Sequence, residues 1–169
     1  VKKLRIVLAD DHEMFRQGIR ALIELEPDLE IVGEAANGRA ALEKVRELAP
    51  DLLVMDLSMP EASGIQLMTQ LKQAGDAVRV LVLTAFGEAT YVRQLLAAGA
   101  RGYVLKQAAA EALIEAIHVV AGGGTYLDPA VAGKVVTGFV ERKKLRGSRE
   151  GDELSGRERE VLCDVAQGF

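Results

Sequence analysis

Leu52-Leu53-Val54-Met55-Asp56 is an unbroken apolar run that closes on a carboxylate and is followed by Leu57-Ser58-Met59-Pro60 and then Gly64. Four consecutive large apolar side chains leave no face for solvent, and the proline and glycine behind them mark a turn, so the run reads as a short strand buried on both sides. Strands of that kind belong to a parallel sheet covered by helices. The carboxyl edge of such an open α/β sheet is where ligands collect, so Asp56 is expected at the mouth of the sheet and is the residue expected to carry the chemistry.

The flanking segments repeat the pattern. Upstream, Leu4-Arg5-Ile6-Val7-Leu8-Ala9 ends on Asp10-Asp11; downstream, Val78 to Leu83 ends on Thr84, and Gly102-Tyr103-Val104-Leu105 ends on Lys106. A shorter strand over 30–35, flanked by Glu30 and Glu34, suits a sheet edge. Between the strands, apolar residues recur at helical spacing: Phe15, Ile19, Leu22 and Ile23 ahead of Pro27; Ala41, Leu42, Val45 and Leu48 ahead of Pro50; Ile65, Leu67, Met68 and Leu71; and Tyr91, Val92, Leu95 and Leu96 ahead of Gly99. A further helix spans 109–121 and ends at Gly122-Gly123-Gly124. Five alternations of strand and helix, joined by short right-handed crossovers, predict an α/β fold built on a five-stranded parallel doubly wound sheet. With 102–105 as the outermost strand, Tyr103 taken alone reads as half-buried packing at an edge.

Asp10, Asp11, Asp56, Thr84 and Lys106 thus come from four strand ends along one edge of the sheet. Taken singly, each has a plain structural reading: the paired aspartates as a helix cap, Thr84 as a turn hydroxyl, Lys106 as a solvated amine. Together they make a site. Three adjacent carboxylates repel one another unless a cation sits among them, and an all-oxygen set of this kind favours Mg²⁺, which keeps several waters and takes a phosphoryl oxygen as a further ligand. An ammonium and a hydroxyl facing that cluster suit the equatorial oxygens of a phosphoryl group, with Asp56 as the nucleophile that receives it.

Composition sets the outer limits. Across 169 residues, 49% are hydrophobic, enough for a domain of about 120 residues with a full core plus an appendage. No apolar stretch approaches the roughly 20 residues of a membrane span, and no basic start is followed by an apolar run that would read as a secretory signal, so a cytoplasmic location is expected and no membrane partner. The single cysteine, Cys163, forbids an internal disulfide and lies on an apolar helical face, where it reads as packing. The net charge is −4; residues 1–122 hold 17 acidic and 13 basic side chains and residues 123–169 hold eight of each, so the first segment carries the acidic excess.

Leu8-Ala9-Asp10-Asp11-His12, Val54-Met55-Asp56-Leu57-Ser58-Met59-Pro60, Leu83-Thr84-Ala85 and Gly102-Tyr103-Val104-Leu105-Lys106 together resemble the signature segments of the receiver domains of two-component response regulators, in that family's order and spacing. The resemblance covers residues 1–122 and implies a flavodoxin-like receiver in which Asp56 is the phosphoacceptor, phosphorylated by a sensor histidine kinase. It further implies that Asp10, Asp11, Asp56 and the backbone carbonyl of Ser58 surround Mg²⁺, that Thr84 and Lys106 contact the phosphoryl group, and that Thr84 and Tyr103 act as the switch pair. Two departures stand out: Ala62-Ser63-Gly64 replaces the acidic or amide residue usual before that glycine, and Gln107-Ala108-Ala109 lacks a short polar cap for the helix that follows.

Beyond the receiver, Tyr126-Leu127-Asp128-Pro129-Ala130-Val131 is expected to open a helix within a helical linker at 123–153, which ends in Arg142-Lys143-Lys144-Leu145-Arg146, a charge run favoured at a helix C-terminus. Leu154 to Phe169, where Ser155 and Glu158 form a capping box, is similar to the start of the helix-turn-helix domain of the NarL/FixJ class. A helix-turn-helix reads DNA with its second helix, for which no residues remain here, so residues 154–169 are expected to be a truncated start of that domain, consistent with a first residue, Val1, that is not an initiator methionine. Expected partners are therefore a histidine kinase, a second copy of the chain when phosphorylated, and DNA only through the full-length domain. The resemblance implies a switch that controls transcription and is not a turnover enzyme. Two rivals differ in class. Aspartyl phosphohydrolases commonly place a second acidic residue two positions after the nucleophile, where this chain has Ser58; a nucleotide or flavin binder needs phosphate-cradling glycines where this chain has Asp10-Asp11.

Overall fold

The computed structural model describes residues 2–57, 59, 64–75, 77–85 and 89–133. Strands and helices alternate as β1 (Leu4–Ala9), α1 (Glu13–Glu24), β2 (Leu29–Ala35), α2 (Gly38–Leu48), β3 (Leu52–Met55), α3 (Gly64–Gln73), β4 (Arg79–Thr84), α4 (Ala89–Ala97), β5 (Gly102–Leu105), α5 (Ala110–Ala121) and β6 (Tyr126–Leu127). All strand pairings are parallel, and the order across the sheet is β2-β1-β3-β4-β5-β6. The run that opened the sequence reading is β3, in the interior of the sheet with all four residues buried, and β2 lies at one edge as its flanking glutamates suggested.

The sheet has six strands, not five. Tyr126 and Leu127 were expected to open a helix, but they pair with Gly102 and Tyr103, and the helix starts only at 129. The reason is non-local: β5 would otherwise leave a row of backbone groups open, and Tyr126 N and Asp128 N donate to Arg101 O (3.0 Å) and Tyr103 O (2.8 Å) along that edge. Consequently β5 is an inner strand, and Tyr103, expected to be half-buried at an edge, is 0% exposed.

Strand alternation sorts the core into two layers. Ile6, Leu8, Leu52, Val54, Leu81, Leu83, Val104 and Tyr126 face α1 and α5, while Val7, Ala9, Leu53, Met55, Val80, Val82, Tyr103, Leu105 and Leu127 face α2, α3 and α4. Val131, from the helical turn at 129–133, belongs to the second layer and is fully buried. A Cβ at Gly102 would collide with Leu81 Cδ1 and come within 2.9 Å of Val120 Cγ2, so this glycine sets how closely α5 rests on the sheet. Helix α2 starts on Asn37, whose side chain accepts from Ala40 N (2.7 Å), and ends on Ala49 in left-handed conformation (φ 45°) ahead of Pro50.

Among the described residues no helix is long and apolar enough to cross a membrane. The helical linker beyond 133, the segment 154–169 with its capping box, and Cys163 lie outside the described residues, as do Ser58 and the loop at 60–63.

Candidate functional site

Parallel register brings the strand ends to one level. Ala9 pairs with Met55 and Met55 with Val82, so Asp10 and Asp56 each emerge one residue past a paired strand, and Thr84 is the last residue of β4 opposite Leu105. Backbone bonds extend the ladder through the site: Asp56 N donates to Ala9 O (2.9 Å), Asp10 N to Ala35 O (3.0 Å) and Lys106 N to Thr84 O (2.7 Å). These bonds position the three charged residues, and the His12 backbone N–H, which donates to Asp10 Oδ1 (2.8 Å), orients one carboxylate further.

The side chains converge. Lys106 Nζ lies 2.8 Å from Asp10 Oδ2 and 3.1 Å from Asp56 Oδ2, and both carboxylates are nearly inaccessible, with side-chain exposures of 3% and 5%. Asp11 is more open, and carboxylate oxygens of Asp10, Asp11 and Asp56 lie within 4.8 Å of one another and of a ring nitrogen of His12. One ammonium thus faces three carboxylates, an excess of negative charge on oxygen donors, which is the donor chemistry that a hard divalent cation satisfies. Burial pulls Lys106 toward the neutral form, but hydrogen bonds and charges from Asp10 and Asp56 outweigh it, so its pKa stands above the ordinary lysine value and the amine stays protonated. The ammonium also sits 4.4 Å from the centre of the Phe15 ring, which holds it from the α1 side.

Of the residues singled out from sequence, Asp10, Asp11, Asp56 and Lys106 meet in one cluster, and Thr84 and Tyr103 are fully buried on β4 and β5 at and below its rim. Ser58 is outside the described residues. Sequence reasoning passed over three neighbours. His12 brings Nδ1 to 3.4 Å from Asp10 Oδ1 and 3.2 Å from Asp11 Oδ1, and its adjacency to the aspartate pair was signal enough. Phe15 was read only as one residue of a helical stripe. Arg16 donates from Nη1 to Asp10 O (2.6 Å) while Nε reaches Glu34 Oε1 (3.3 Å), tying α1 to β2 beneath the site; nothing local in the sequence marks it.

Comparison with known proteins agrees with this geometry. Residues 6–118 match the family model described as the response regulator receiver domain. The chain is 37% identical to the transcriptional regulatory protein DegU of Brevibacillus brevis over 92% of its own length and 66% of that protein's, and 36% identical to the oxygen regulatory protein NreC of Staphylococcus carnosus over 98% and 78%. Its fold superposes on the crystal structure of a two-component response regulator of the LuxR family from an Aurantimonas species with a TM-score of 0.79, at 34% identity, covering 82% of this chain and 99% of that one. With its motifs in order, its parallel sheet and its acidic cluster facing a lysine, the chain belongs to the response regulator receiver domain family, among the LuxR-type regulators of two-component systems.

Proposed function

We propose that this chain is the phosphorylation-controlled switch of a cytoplasmic transcription regulator, with Asp56 as the acceptor of a phosphoryl group from a sensor histidine kinase. The observation that carries the reading is the placement of Lys106 Nζ between the buried carboxylates of Asp10 and Asp56 at the sheet edge. A carboxylate oxygen of Asp56 attacks the phosphorus of the phosphohistidine; the P–O bond forms as the P–N bond breaks, and the departing imidazole keeps the electron pair and takes up a proton. Asp10 and Asp11, with Asp56 itself and the backbone carbonyl of Ser58, are the groups that would hold Mg²⁺. That ion, when bound, supplies positive charge for the phosphoryl oxygens. Thr84 and Lys106 recognise the transferred group, the hydroxyl by a hydrogen bond and the ammonium by charge. Thr84 and Tyr103 form the switch pair.

In this reading residues 1–122 are the receiver, 123–153 a linker and 154–169 the start of a helix-turn-helix domain through which the full-length protein reaches DNA. Phosphorylation then favours a homodimer. Phosphorylation by acetyl phosphate in Mg²⁺, followed by intact-mass spectrometry, tests the assignment: the wild-type chain gains the mass of one phosphoryl group, acid-stable and base-labile, and Asp56→Asn does not. Equal labelling of the variant would refute Asp56 as the acceptor.

A further inference from the structure

The strand β6 is only two residues long, and at Asp128 the chain turns away from the sheet into the helical turn at 129–133. The ladder does not stop there. Asp128 N donates to Tyr103 O at 2.8 Å, and then the Asp128 side chain takes the place a third strand residue would have filled: its Oδ2 accepts from Leu105 N at 3.1 Å. The other carboxylate oxygen, Oδ1, accepts from Ala130 N at 2.9 Å and caps the turn, whose first backbone bonds run from Val131 N and Ala132 N to Asp128 O (2.8 and 2.9 Å). Asp128 is 6% exposed, its bond from Leu105 N is buried and that from Ala130 N half-buried, and Val131 is buried in the same layer as Tyr103, Leu105 and Leu127.

Aspartate is the residue this junction requires. Two N–H groups, the buried one of Leu105 and the half-buried one of Ala130, point at one side chain, and only a carboxylate has two acceptor oxygens and no donor. Asparagine has one suitable oxygen and sets an NH₂ group against the other N–H; serine is long enough for the cap alone. Pro129, with no N–H, makes no competing claim on the carboxylate.

We propose that Asp128 is a positioning residue that locks the end of β5 to the helical segment at 129–133, so that movement of Tyr103 and Lys106 on phosphorylation is carried into the chain beyond the sheet. The proposal rests on the reading of Asp56 and Lys106 given above. Lys106 follows Leu105 directly, and its ammonium holds both Asp10 and Asp56, so a new phosphoryl group on Asp56 acts on the side chain of the residue next to the one whose amide Asp128 grips. Tyr103, the other residue gripped, is bonded through its carbonyl.

The test uses the whole chain, with acetyl phosphate and Mg²⁺ as the phosphodonor. Labelling is read by intact mass and conformation by amide NMR shifts, in wild type, Asp128→Asn and Asp128→Ser. In the wild type, the Leu105, Ala130 and Val131 amides move together on labelling. In both variants Asp56 takes up phosphate and Thr84 and Lys106 still respond, but the response at Ala130 and Val131 falls by roughly two- to thirtyfold, the range expected when one contact in a coupled network is removed. Shifts at Ala130 and Val131 that stay at wild-type size in a labelled variant overturn the proposal. So does a wild-type protein in which Leu105 responds and Ala130 does not, a result that needs no variant to fold. A wild-type chain that takes no phosphate overturns the reading of Asp56, and this coupling with it.

Discussion

At the scale of single residues, the site is governed by one ammonium shared between two buried carboxylates. Lys106 is the counterion of Asp10 and Asp56, and its raised pKa expresses the same attraction from the lysine's side. Under the proposed function, Lys106 gains a contact with a phosphoryl oxygen only in the phosphorylated state, and a contact made in one state alone biases the switch by differential affinity. A charge-assisted hydrogen bond of about 1.5–3 kcal/mol, once lost, lowers the active population roughly ten- to hundredfold. Lys106→Ala is therefore expected to accept phosphate on Asp56 while failing to show the phosphorylation-dependent change, followed by sedimentation or by the NMR shifts of Thr84 and Tyr103. Slow labelling with normal switching would move the role of Lys106 to the transfer step. Because the variant also leaves two carboxylates without their ammonium, a calorimetric titration should find it binding Mg²⁺ more tightly than the wild type.

At the scale of elements, what was legible in the sequence is what depends on local pattern. The apolar run 52–55 could only be an inner strand, the glutamates around 30–34 marked an edge, and proline and glycine closed the helices at Pro27, Pro50 and Gly99. Strand β6 was not legible, because two residues carry no periodicity and their conformation is dictated by the open edge of β5, formed more than twenty positions earlier. The misplacement of Tyr103 at an edge followed from the same cause. The site divides along the same line: strand-end carboxylates were visible as endings of apolar runs, whereas the link from Arg16 to Glu34 and the bond from the Leu105 amide to Asp128 exist only once distant segments pack. Gly102 shows the tolerance of that packing. Gly102→Ala drives a methyl group into Leu81 and Val120, both buried, and overpacking of this kind destabilises by about 1–3 kcal/mol. Denaturant titration should register that loss, and an unchanged midpoint would mean that α5 lifts freely from β5.

At the scale of the whole molecule, the α1 and α5 side of the sheet differs between its two ends. Near the site a cavity of about 160 Å³ is lined by Ile19 and Leu22 of α1, Leu83, Val104, Lys106 and Leu113 of α5. Farther away, His118 Nε2 on α5 meets Asp28 Oδ2 in the turn before β2 at 2.7 Å. The hydrogen bond from His118 holds Asp28 below the ordinary carboxylate pKa. A depressed carboxylate stabilises the fold at pH above its unfolded value, and that contribution disappears as pH falls through the folded value. Asp28→Asn should thus lower the thermal midpoint slightly at neutral pH and leave a shallower acid limb, with the two proteins converging in strong acid; parallel curves would exclude the pair as a source of pH dependence. The two-residue strand β6 has a consequence of another kind. A polypeptide that stopped at Gly124, just past the boundary suggested by the motifs, would keep every signature residue and yet bare the outer margin of β5, with the Tyr103 carbonyl and the Leu105 amide unmatched. Such a margin is a template for a strand from another molecule, a hazard that the longer chain blunts by laying a very short strand of its own along it.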